Sequence, residues 1–339
     1  MIKFYFPTAK IRRGDYSDVY FNRARKILID DNYHPILTLQ VFQKQKNITL
    51  CGIEETKQLF RQTIDSISQL KIHALKDGHQ ISSWETVLTI EGDYSYFAHL
   101  ETVYLGIFAR RSLIATNIHN AVVAANGKPV LYFAPRFDYF LNQEGDGYAA
   151  LIGGASGVST PAAASLINQK PVGTIPHALI VAYHGDTAKT AIKFNQYFPE
   201  INTISLIDFN NNCVKGALES AKKLGKKLWG VRLDTAENIA DISTPQQTGV
   251  NPLLVKKVRQ ALDNNGYNWV KIIVSGGFNP EKIKQFELTK TPVDIYAVGS
   301  SIFSGKIDFT ADAVRLNGKN LAKTGRKYSP NPRLKPWPI

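Results

Sequence analysis

The sequence predicts an α/β protein whose main part is an irregular β/α barrel, and three observations lead to this fold class. Short apolar strands alternate with helical segments from about residue 128 onward. Their spacing is typical of parallel strands joined by helices, in a closed or nearly closed sheet. Polar or glycine-rich residues follow strand after strand, as at the ligand-binding edge of such a sheet. An open doubly wound sheet is the structural alternative.

The composition is that of an ordinary globular chain of 339 residues, with 44% hydrophobic and 20% charged residues. Its two cysteines, Cys51 and Cys213, lie far apart and form no CxxC pair, so neither a disulfide framework nor a zinc site is indicated. No stretch approaches the ~20 apolar residues of a membrane helix, and the first residues do not resemble a signal peptide. We therefore expect a cytoplasmic protein without membrane attachment.

The chain is basic, with 41 Lys and Arg against 28 Asp and Glu and a formal net charge of +13. A basic surface attracts polyanions, so nucleic-acid binding is one interpretation of this charge. The charges are nevertheless dispersed, and no recognised nucleic-acid-binding module is present. We expect no nucleic-acid partner; the charge either attracts small phosphorylated molecules or serves solubility.

Two domains are predicted. Residues 1–115, joined by the tail 309–339, form an N-terminal α/β sandwich-like domain, and residues 116–308 form the barrel. The clearest N-terminal pattern is VLTIEGDYSYFAHLETVYLGIFARR, which predicts a strand at 87–90 and then a helix with a wide apolar stripe. Asp93 or Ser95 is a suitable N-cap for that helix. Arg110 and Arg111 follow the stripe, where they complement the helix dipole or bind phosphate.

The barrel elements are defined by apolar runs and helix-start signals. The predicted strands are KPVLYFAP, TISLID (203–208), KLWGVRLD (227–234), VKIIVSGG (270–277) and VDIYAVGS (293–300). The predicted helices span 187–198 and 212–224, open at NPLLVKKVRQAL with Pro252 near the first turn, and begin again at Pro280. The proline-rich tail from Ser329 is expected to run as an extended arm over the surface.

Two glycine–serine turns end consecutive strands of the barrel. Ser275, Gly276 and Gly277 end one strand, and Gly299 and Ser300 end the next. Glycine lets backbone N–H groups approach phosphate oxygens, and a following helix adds the positive end of its dipole. The last two strand ends of a β/α barrel commonly bind phosphate, so the pair predicts a phosphate site.

Charged residues end the neighbouring strands. Arg232 and Asp234 lie two apart on one strand, so their side chains point the same way, which suits a phosphorylated sugar. The alternative is a local ion pair that closes the barrel layer. Asp208 is either the N-cap of the following helix or a partner of a metal or histidine. His177, in VGTIPHALI, is either a packed imidazole or a reactive one, and the small-residue loop GGASGVST (153–160) either approaches a ligand or packs tightly.

Eight segments together resemble the nicotinate phosphoribosyltransferase family, within the type II phosphoribosyltransferases. They span most of the chain in the family's order and are DVYFNRARKIL, LETVYLGIFARRSLIAT, YFAPRFD, GGASGVST, VGTIPHALI, VRLDT, VSGGF and VDIYAVGSS. The resemblance implies the type II phosphoribosyltransferase fold. It also implies a reaction in which the ring nitrogen of nicotinate displaces pyrophosphate from phosphoribosyl pyrophosphate.

The resemblance assigns roles to individual positions. His177 matches the histidine that is phosphorylated by ATP in the family, and Asp208 matches a residue near it. Phe133 would stack on the pyridine ring, Tyr20 of a neighbouring subunit on its other face, and Arg136 would contact the carboxylate of the base or the product phosphate. The remaining matches are Ser159, where nicotinamide enzymes carry an aspartate; Arg232 and Asp234 at the ribose and phosphate; and Gly276, Gly277, Gly299 and Ser300 at the 5'-phosphate. Ser275 and Arg111 are further candidate phosphate ligands, taken from the residue pattern rather than from the resemblance.

These roles imply that Mg²⁺ and ATP take part, that no protein metal site is needed, and that the active sites lie at the interface of a homodimer or larger homo-oligomer. Ser159 favours nicotinate, because a hydroxyl donates to the substrate's carboxylate where an aspartate would repel it. A quinolinate enzyme would need more Arg, Lys and His around the base. Two further alternatives to a nicotinate enzyme are a nicotinamide enzyme and a non-catalytic nucleotide-binding regulator on the same fold.

Overall fold

A computed structural model describes residues 2–337 of the chain. The chain divides into two compact units. One runs from the amino terminus to Thr116 and resumes at Gly305, and the other spans Asn117–Ser304. The sequence-based division placed the boundaries at 115/116 and 308/309.

The helices and strands are numbered here in chain order. The α-helices are α1 (Thr8–Arg13), α2 (Val19–Asp30), α3 (Ile53–Thr63), α4 (Glu101–Ala124), α5 (Gln143–Ile152), α6 (Pro161–Ser165), α7 (His177–Ala182), α8 (Thr187–Tyr197), α9 (Cys213–Leu224), α10 (Pro252–Asn264) and α11 (Pro280–Leu288). The strands are β1 (Ile36–Gln43), β2 (Ile48–Thr49), β3 (Lys71–Ala74), β4 (Gln80–Ile81), β5 (Leu88–Asp93), β6 (Val130–Tyr132), β7 (Gly157–Val158), β8 (Thr203–Leu206), β9 (Leu228–Leu233), β10 (Lys271–Val274), β11 (Ile295–Val298), β12 (Phe309–Leu316), β13 (Lys319–Asn320) and β14 (Lys335–Pro336).

The first unit is built on a six-stranded sheet in the order β13-β12-β1-β5-β3-β14. Its pairings are antiparallel, with Val41 of β1 opposite Leu88 of β5 and Ala311 of β12. The buried side chains of this sheet join those of α3 and α4, among them Phe60, Tyr104 and Phe108, in one hydrophobic core. Each large apolar side chain buried there contributes about 2–3 kcal/mol of transfer free energy.

The second unit contains a six-stranded parallel sheet in the order β7-β6-β11-β10-β9-β8. Each of β8, β9 and β10 is followed by an α-helix, which is the alternation predicted from the sequence, and β11 is followed by a short 3-10 turn. The sheet curls as an open half-barrel, because β7 and β8 form its two edges and do not pair among the described residues. The predicted α/β class, with an irregular β/α barrel and an N-terminal α/β domain, is confirmed.

Helix α4 differs from its prediction at both ends. It begins at Glu101, and Asp93 instead caps a short 3-10 turn by accepting a hydrogen bond from the backbone N–H of Ser95 at 2.9 Å. The helix continues to Ala124, so Arg110 and Arg111 lie in its interior rather than beyond its end. The predicted interaction of these arginines with a helix-terminal dipole is therefore wrong. Buried apolar side chains continue along the later turns of this helix, with Ile114, Ala115, Ile118 and Ala121.

The C-terminal tail extends along the first unit. Its strand β14 pairs antiparallel with β3, and the Trp337 backbone donates to the carbonyl oxygen of Ile72 at 2.9 Å. The Trp337 ring lies 6.0 Å from that of Phe60, centroid to centroid. Within residues 2–337, no helix is both long and apolar enough to span a membrane.

Candidate active site

A cavity of about 680 Å³ opens in the second unit at the carboxyl ends of its parallel strands. Each of the six strands is followed, within a few residues, by at least one residue that the sequence predicted for the site. The predicted residues that line the cavity are Phe133, Arg136, Ser159, His177, Arg232, Asp234, Ser275, Gly276, Gly277, Gly299 and Ser300. Parallel strands place their carboxyl ends at one edge, which is why residues so distant in sequence converge.

The first glycine–serine turn follows β10 directly. Gly276 and Gly277 have φ angles of +85° and +66°, in the left-handed region that favours glycine. A Cβ on Gly277 would also overlap the carboxylate of Glu237. The Ser275 hydroxyl donates to Oδ1 of Asp234 at 2.6 Å, which links this turn to the end of β9. The turn thus brings backbone without side chains of its own to the cavity wall.

The second glycine–serine turn follows β11. Ser300 opens a 3-10 turn, Ser300–Phe303, and Gly299 precedes it. A Cβ on Gly299 would lie 2.8 Å from Cε2 of Phe137, so a larger residue there would displace that ring. The Ser301 hydroxyl donates to the carbonyl oxygen of Phe278 at 2.8 Å and connects the two turns. Both turns can present amides to an anion in the cavity.

Arg232 is held in the cavity wall by two polar partners. Its Nη1 donates to the hydroxyl oxygen of Thr174 at 2.6 Å, and its Nη2 lies 3.3 Å from Oδ2 of Asp234. The Nε atom is buried and has no hydrogen-bond partner within the described residues. The Arg232–Asp234 pair is therefore both an ion pair and part of the cavity lining, so the two interpretations of the sequence are compatible.

His177 is the first residue of α7 and lines the cavity. Pro176 before it has extended backbone (φ −84°, ψ 151°), which turns the chain into the helix. The His177 Nε2 atom lies 3.0 Å from Oδ2 of Asp208, and its side chain is 44% exposed where that of Asp208 is 7% exposed. His177 is therefore not a packed core imidazole; one ring edge is fixed by a buried carboxylate while the residue faces the cavity.

Asp208 lies between β8 and α9, in a largely dry environment. Burial raises the pKa of its carboxyl group, His177 opposes this shift, and the nearby charge of Asp234 adds to it. Its Oδ1 atom is buried without a hydrogen-bond partner among residues 2–337. The N-cap interpretation of Asp208 is wrong, because Asn212 caps α9 by accepting from the backbone N–H of Lys215. The Asp208 carboxylate therefore pairs with His177 rather than with the helix N-terminus.

Three predicted base-binding residues lie along the opposite part of the lining. Phe133 follows β6, and its backbone N–H donates to Val298 at 2.8 Å. The Arg136 guanidinium lies 4.9 Å from the centroid of the Phe137 ring. Ser159 follows β7 and precedes Thr160, the N-cap of α6. Together they give the cavity an aromatic face, a cation and a hydroxyl, and their substrate roles stay predictions.

Two predicted residues belong to the first unit. Tyr20, on α2, is 59% exposed, and a role in a neighbouring subunit's site stays a prediction. Arg111 forms a two-point ion pair with Glu55, with Nε–Oε2 and Nη2–Oε1 distances of 2.6 and 3.0 Å. Its side chain is only 13% exposed. This guanidinium has a carboxylate partner, and the predicted phosphate contact stays a prediction.

Sequence reasoning missed three residues with clear contacts at the site. Thr174 accepts a hydrogen bond from Arg232, although only its neighbour His177 drew attention in the same motif. Glu237 lies against Gly277, and Lys282 donates to the carbonyl oxygen of Gly276 at 3.1 Å. Burial lowers the pKa of Lys282, and Glu237 opposes that shift. Glu237 lies three residues after Asp234, close to a strand end. This position was the one feature of the sequence that pointed to Glu237.

Comparisons with known proteins agree with this geometry. Residues 18–112 match the profile of the quinolinate phosphoribosyl transferase N-terminal domain. A nicotinate phosphoribosyltransferase of Mycobacterium tuberculosis is 28% identical over 234 residues, which are 67% of this chain and 49% of that protein. The corresponding protein of Bacillus subtilis is 24% identical over 235 residues, or 68% of this chain and 45% of its own. The chain spans about half the length of these curated relatives.

Solved structures extend the match to nearly the whole chain. The nicotinate-nucleotide pyrophosphorylase of Pyrococcus furiosus is 35% identical, with a TM-score of 0.84 over 96% of this chain and 82% of that one. The chain belongs to the nicotinate phosphoribosyltransferase family, within the type II phosphoribosyltransferases. Human nicotinic acid phosphoribosyltransferase shares the family fold at 15% identity, with a TM-score of 0.72 over 93% of this chain and 77% of the human one.

Proposed function

We propose that this chain is a nicotinate phosphoribosyltransferase, which forms nicotinate mononucleotide and pyrophosphate in NAD biosynthesis or salvage. The observation that carries the proposal is one cavity that gathers both glycine–serine turns, the Arg232–Asp234 pair and His177. The turns can bind a phosphate, and the paired cation and anion can bind a phosphorylated sugar. The histidine can take part in a separate reaction. A protein that only sensed a nucleotide would not need this histidine.

The transfer step builds positive charge on the ribose ring and negative charge on the departing pyrophosphate. Fixed dipoles and cations that meet these charges lower the barrier. Asp234, held by the Ser275 hydroxyl, would face the ribose, and Arg232 and the turn amides would face phosphate oxygens. The unpartnered Nε of Arg232 would then gain an acceptor. Ligand binding thus satisfies a buried donor that the protein alone leaves without a partner.

Nicotinate would be recognised at the aromatic end of the cavity. Phe133 offers a ring face for the pyridine, and Tyr20 of a second subunit would cover the other face. The base carboxylate would accept hydrogen bonds from Arg136 and from the Ser159 hydroxyl. Nicotinamide carries no such charge, so it would lose the interaction with the cation. The composite site requires a homodimer or a larger homo-oligomer.

ATP would be coupled through His177. With the Asp208 carboxylate as the acceptor of this hydrogen bond, Nε2 would carry the ring proton and Nδ1 would keep its lone pair. That lone pair attacks the terminal phosphorus of ATP, the bond to the bridging oxygen breaks, and ADP leaves. Asp208 holds the ring and stabilises the positive charge that develops on it. Hydrolysis of the phosphohistidine then returns the free imidazole.

Mg²⁺ fits this donor set as an ion held mainly by its substrates. Residues 2–337 contain no group of three or more His, Cys, Asp or Glu side chains arranged for a metal. Mg²⁺ is commonly bound by one or two carboxylates together with substrate phosphates. Asp208, with its unpartnered Oδ1, and Asp234 are the carboxylates that would hold it. The ion would neutralise charge on the leaving pyrophosphate.

A quinolinate-type, decarboxylating activity is the second candidate, because residues 18–112 match that enzyme's N-terminal profile. Quinolinate carries two carboxylates and calls for several cations. The cavity lining supplies Arg136 and Arg232 as permanent cations and His177 as a titratable one. Arg232 is already engaged by Asp234 and Thr174. This charge balance favours one carboxylate and therefore nicotinate.

The experiment offers purified protein each base with phosphoribosyl pyrophosphate and Mg²⁺ and identifies the products by mass spectrometry. Nicotinate is expected to give the mononucleotide, and nicotinamide is expected to give at least about tenfold less because it lacks the charged contact. Consumption of quinolinate with release of CO₂, and none of nicotinate, would favour the second candidate. No mononucleotide from any base would refute both.

A further inference from the structure

The first unit contains a separate cavity, of about 160 Å³, that is strongly basic. We call it the Arg25 cavity. Arg12 of α1, Arg25 of α2 and His99 line it, together with Asp65. A volume of this size accommodates a few water molecules or a small polyatomic ion. None of these residues has a role in the proposed reaction.

Arg25 is a partly buried cation without a counter-charge. Its Nε donates to the carbonyl oxygen of Ser95 at 3.0 Å, and its Nη1 lies 3.4 Å from the carbonyl oxygen of Arg12. No carboxylate among residues 2–337 lies within ion-pair distance of it. Burial accordingly lowers the pKa of this guanidinium. A cation removed from water is costly unless an anion compensates it.

His99, which also lines this cavity, has an unsatisfied polar atom. The residue is 2% exposed, and its Nδ1 has no hydrogen-bond partner within the described chain. Buried polar atoms are almost always paired, so an orphan of this kind points to a missing partner. Burial and the charges of Arg25 and Arg12 lower the pKa of His99 to about 4, so the imidazole is neutral at pH 7.

The charge balance favours an anion. Arg12 is paired with Asp65 at 2.6 Å, and this carboxylate is 82% exposed. Two guanidinium groups therefore meet a single carboxylate that faces largely into solvent. We propose that the Arg25 cavity binds inorganic phosphate, with Arg25 as the principal ligand and His99 Nδ1 as a second contact. The site uses none of the residues assigned to the proposed reaction, so it does not rest on that function.

Phosphate fits the imidazole better than a carboxylate does. If Nδ1 carries the ring proton, it donates to a phosphate oxygen; if it does not, it accepts from the P–OH group of hydrogenphosphate. A carboxylate ion has no donor and satisfies only the first tautomer. Phosphate also carries more charge, and Arg25 can bind two of its oxygens with a pair of parallel N–H donors.

The test follows the nitrogen signals of His99 by NMR in protein labelled with ¹⁵N-histidine. The low pKa of His99, near 4, identifies its signals in a pH titration, and the His99→Gln variant confirms the assignment. Sodium phosphate is then titrated at constant pH and ionic strength, with sodium chloride and sodium acetate as separate arms. The same titration is run on Arg25→Gln, on Arg25→Lys, and on Gly277→Ala, which alters only the glycine turn of the other unit.

Phosphate is expected to shift the His99 signals saturably, while chloride does not and acetate does so more weakly. Arg25→Gln is expected to weaken this response about tenfold or more, since it removes a charge-assisted contact, and Arg25→Lys less so. Gly277→Ala should leave it unchanged. His99 signals that do not respond to phosphate, or that respond equally in Arg25→Gln, would overturn the proposal. Near-UV circular dichroism checks that each variant is folded.

Discussion

The imidazole of His177 lies 3.0 Å from the carboxylate of Asp208, and these two residues are 31 positions apart in the sequence. One begins a helix and the other follows a parallel strand, and the fold brings them together at the carboxyl edge of the sheet. The pair combines a half-exposed ring with a buried anion. This combination fixes the ring's orientation and leaves one nitrogen for chemistry.

The first prediction concerns the coupling of ATP. Replacing His177 by Ala removes the nucleophile, so ADP formation should fall by about 10²-fold or more, while some phosphoribosyl transfer persists at high substrate concentration. The measurement is ADP and mononucleotide release in the same assay. His184→Asn is the matched control, because His184 lies just beyond α7 with a φ of +57° that asparagine tolerates. Unchanged ATP hydrolysis in the His177 variant would remove this residue from the phosphohistidine role.

The second prediction concerns stability and pH. A carboxyl group whose pKa is raised by folding binds more protons in the folded state, so its ionisation destabilises the protein as the pH rises above its ordinary pKa of 3.8. Asp208→Asn should therefore increase the free energy of unfolding at pH 7, and this gain should shrink as the pH falls toward 3.8. Urea unfolding at several pH values measures it.

The same substitution should reduce phosphorylation of His177 by about 10²–10⁴-fold, because the neutral amide no longer stabilises the imidazolium. Glu200→Gln, at an exposed residue beyond α8, is the control for both measurements. A variant that is less stable than the wild type at pH 7 would show that the His177 contact outweighs the burial of the charge, contrary to our account.

The third prediction separates backbone strain from phosphate binding. Gly277 and Gly266 have positive φ angles of +66° and +77°, which alanine adopts only with strain. Replacing either glycine by alanine should therefore cost about 1 kcal/mol of stability. Only Gly277 lies at the cavity, where the added Cβ also displaces Glu237; the Gly266 Cβ would meet nothing within 4 Å. We expect Gly277→Ala alone to raise the KM for phosphoribosyl pyrophosphate, by about tenfold. Equal KM values in the two variants would contradict a phosphate-binding turn.

The fourth prediction tests the shared site. Tyr20→Ala and His177→Ala each disable a different subunit's contribution, so a mixed dimer should keep one intact site. Co-expression of the two variants should restore about a quarter of the wild-type rate of ATP-coupled mononucleotide formation, because random pairing makes half of the dimers mixed. Tyr33→Ala, at another exposed tyrosine of the first unit, should retain full activity alone. An absence of recovery in confirmed mixed dimers would place the complete site within one chain.

The parallel sheet and most of the cavity could be predicted because strand ends carry local signals. Glycine–serine turns and the Arg232–Asp234 spacing are visible within a few residues, and parallel topology then brings successive ends together. The role of His177 could be predicted only from the family resemblance, because a histidine after an apolar run can equally be a packed core residue.

Sequence pattern was least informative where distant contacts decide a side chain's surroundings. Arg111 was predicted as a phosphate ligand; the fold brings Glu55, 56 residues away, to its guanidinium, and the phosphate role stays a prediction. The sequence left Asp208 open between an N-cap and a partner of a metal or histidine; Asn212 supplies the cap, and Asp208 pairs with His177. The contact between Thr174 and Arg232 joins residues 58 positions apart and has no signature in the sequence. Pair contacts of this kind depend on tertiary packing rather than on local propensity.

The most direct measurement is the equilibrium yield of nicotinate mononucleotide from nicotinate, phosphoribosyl pyrophosphate and Mg²⁺, with and without ATP, followed together with ADP. We predict product in both reactions, a higher final yield with ATP, and ADP released in step with mononucleotide. A complete absence of mononucleotide would contradict phosphoribosyl transfer to nicotinate at this cavity. A yield that ATP does not change would contradict the role of the His177–Asp208 pair.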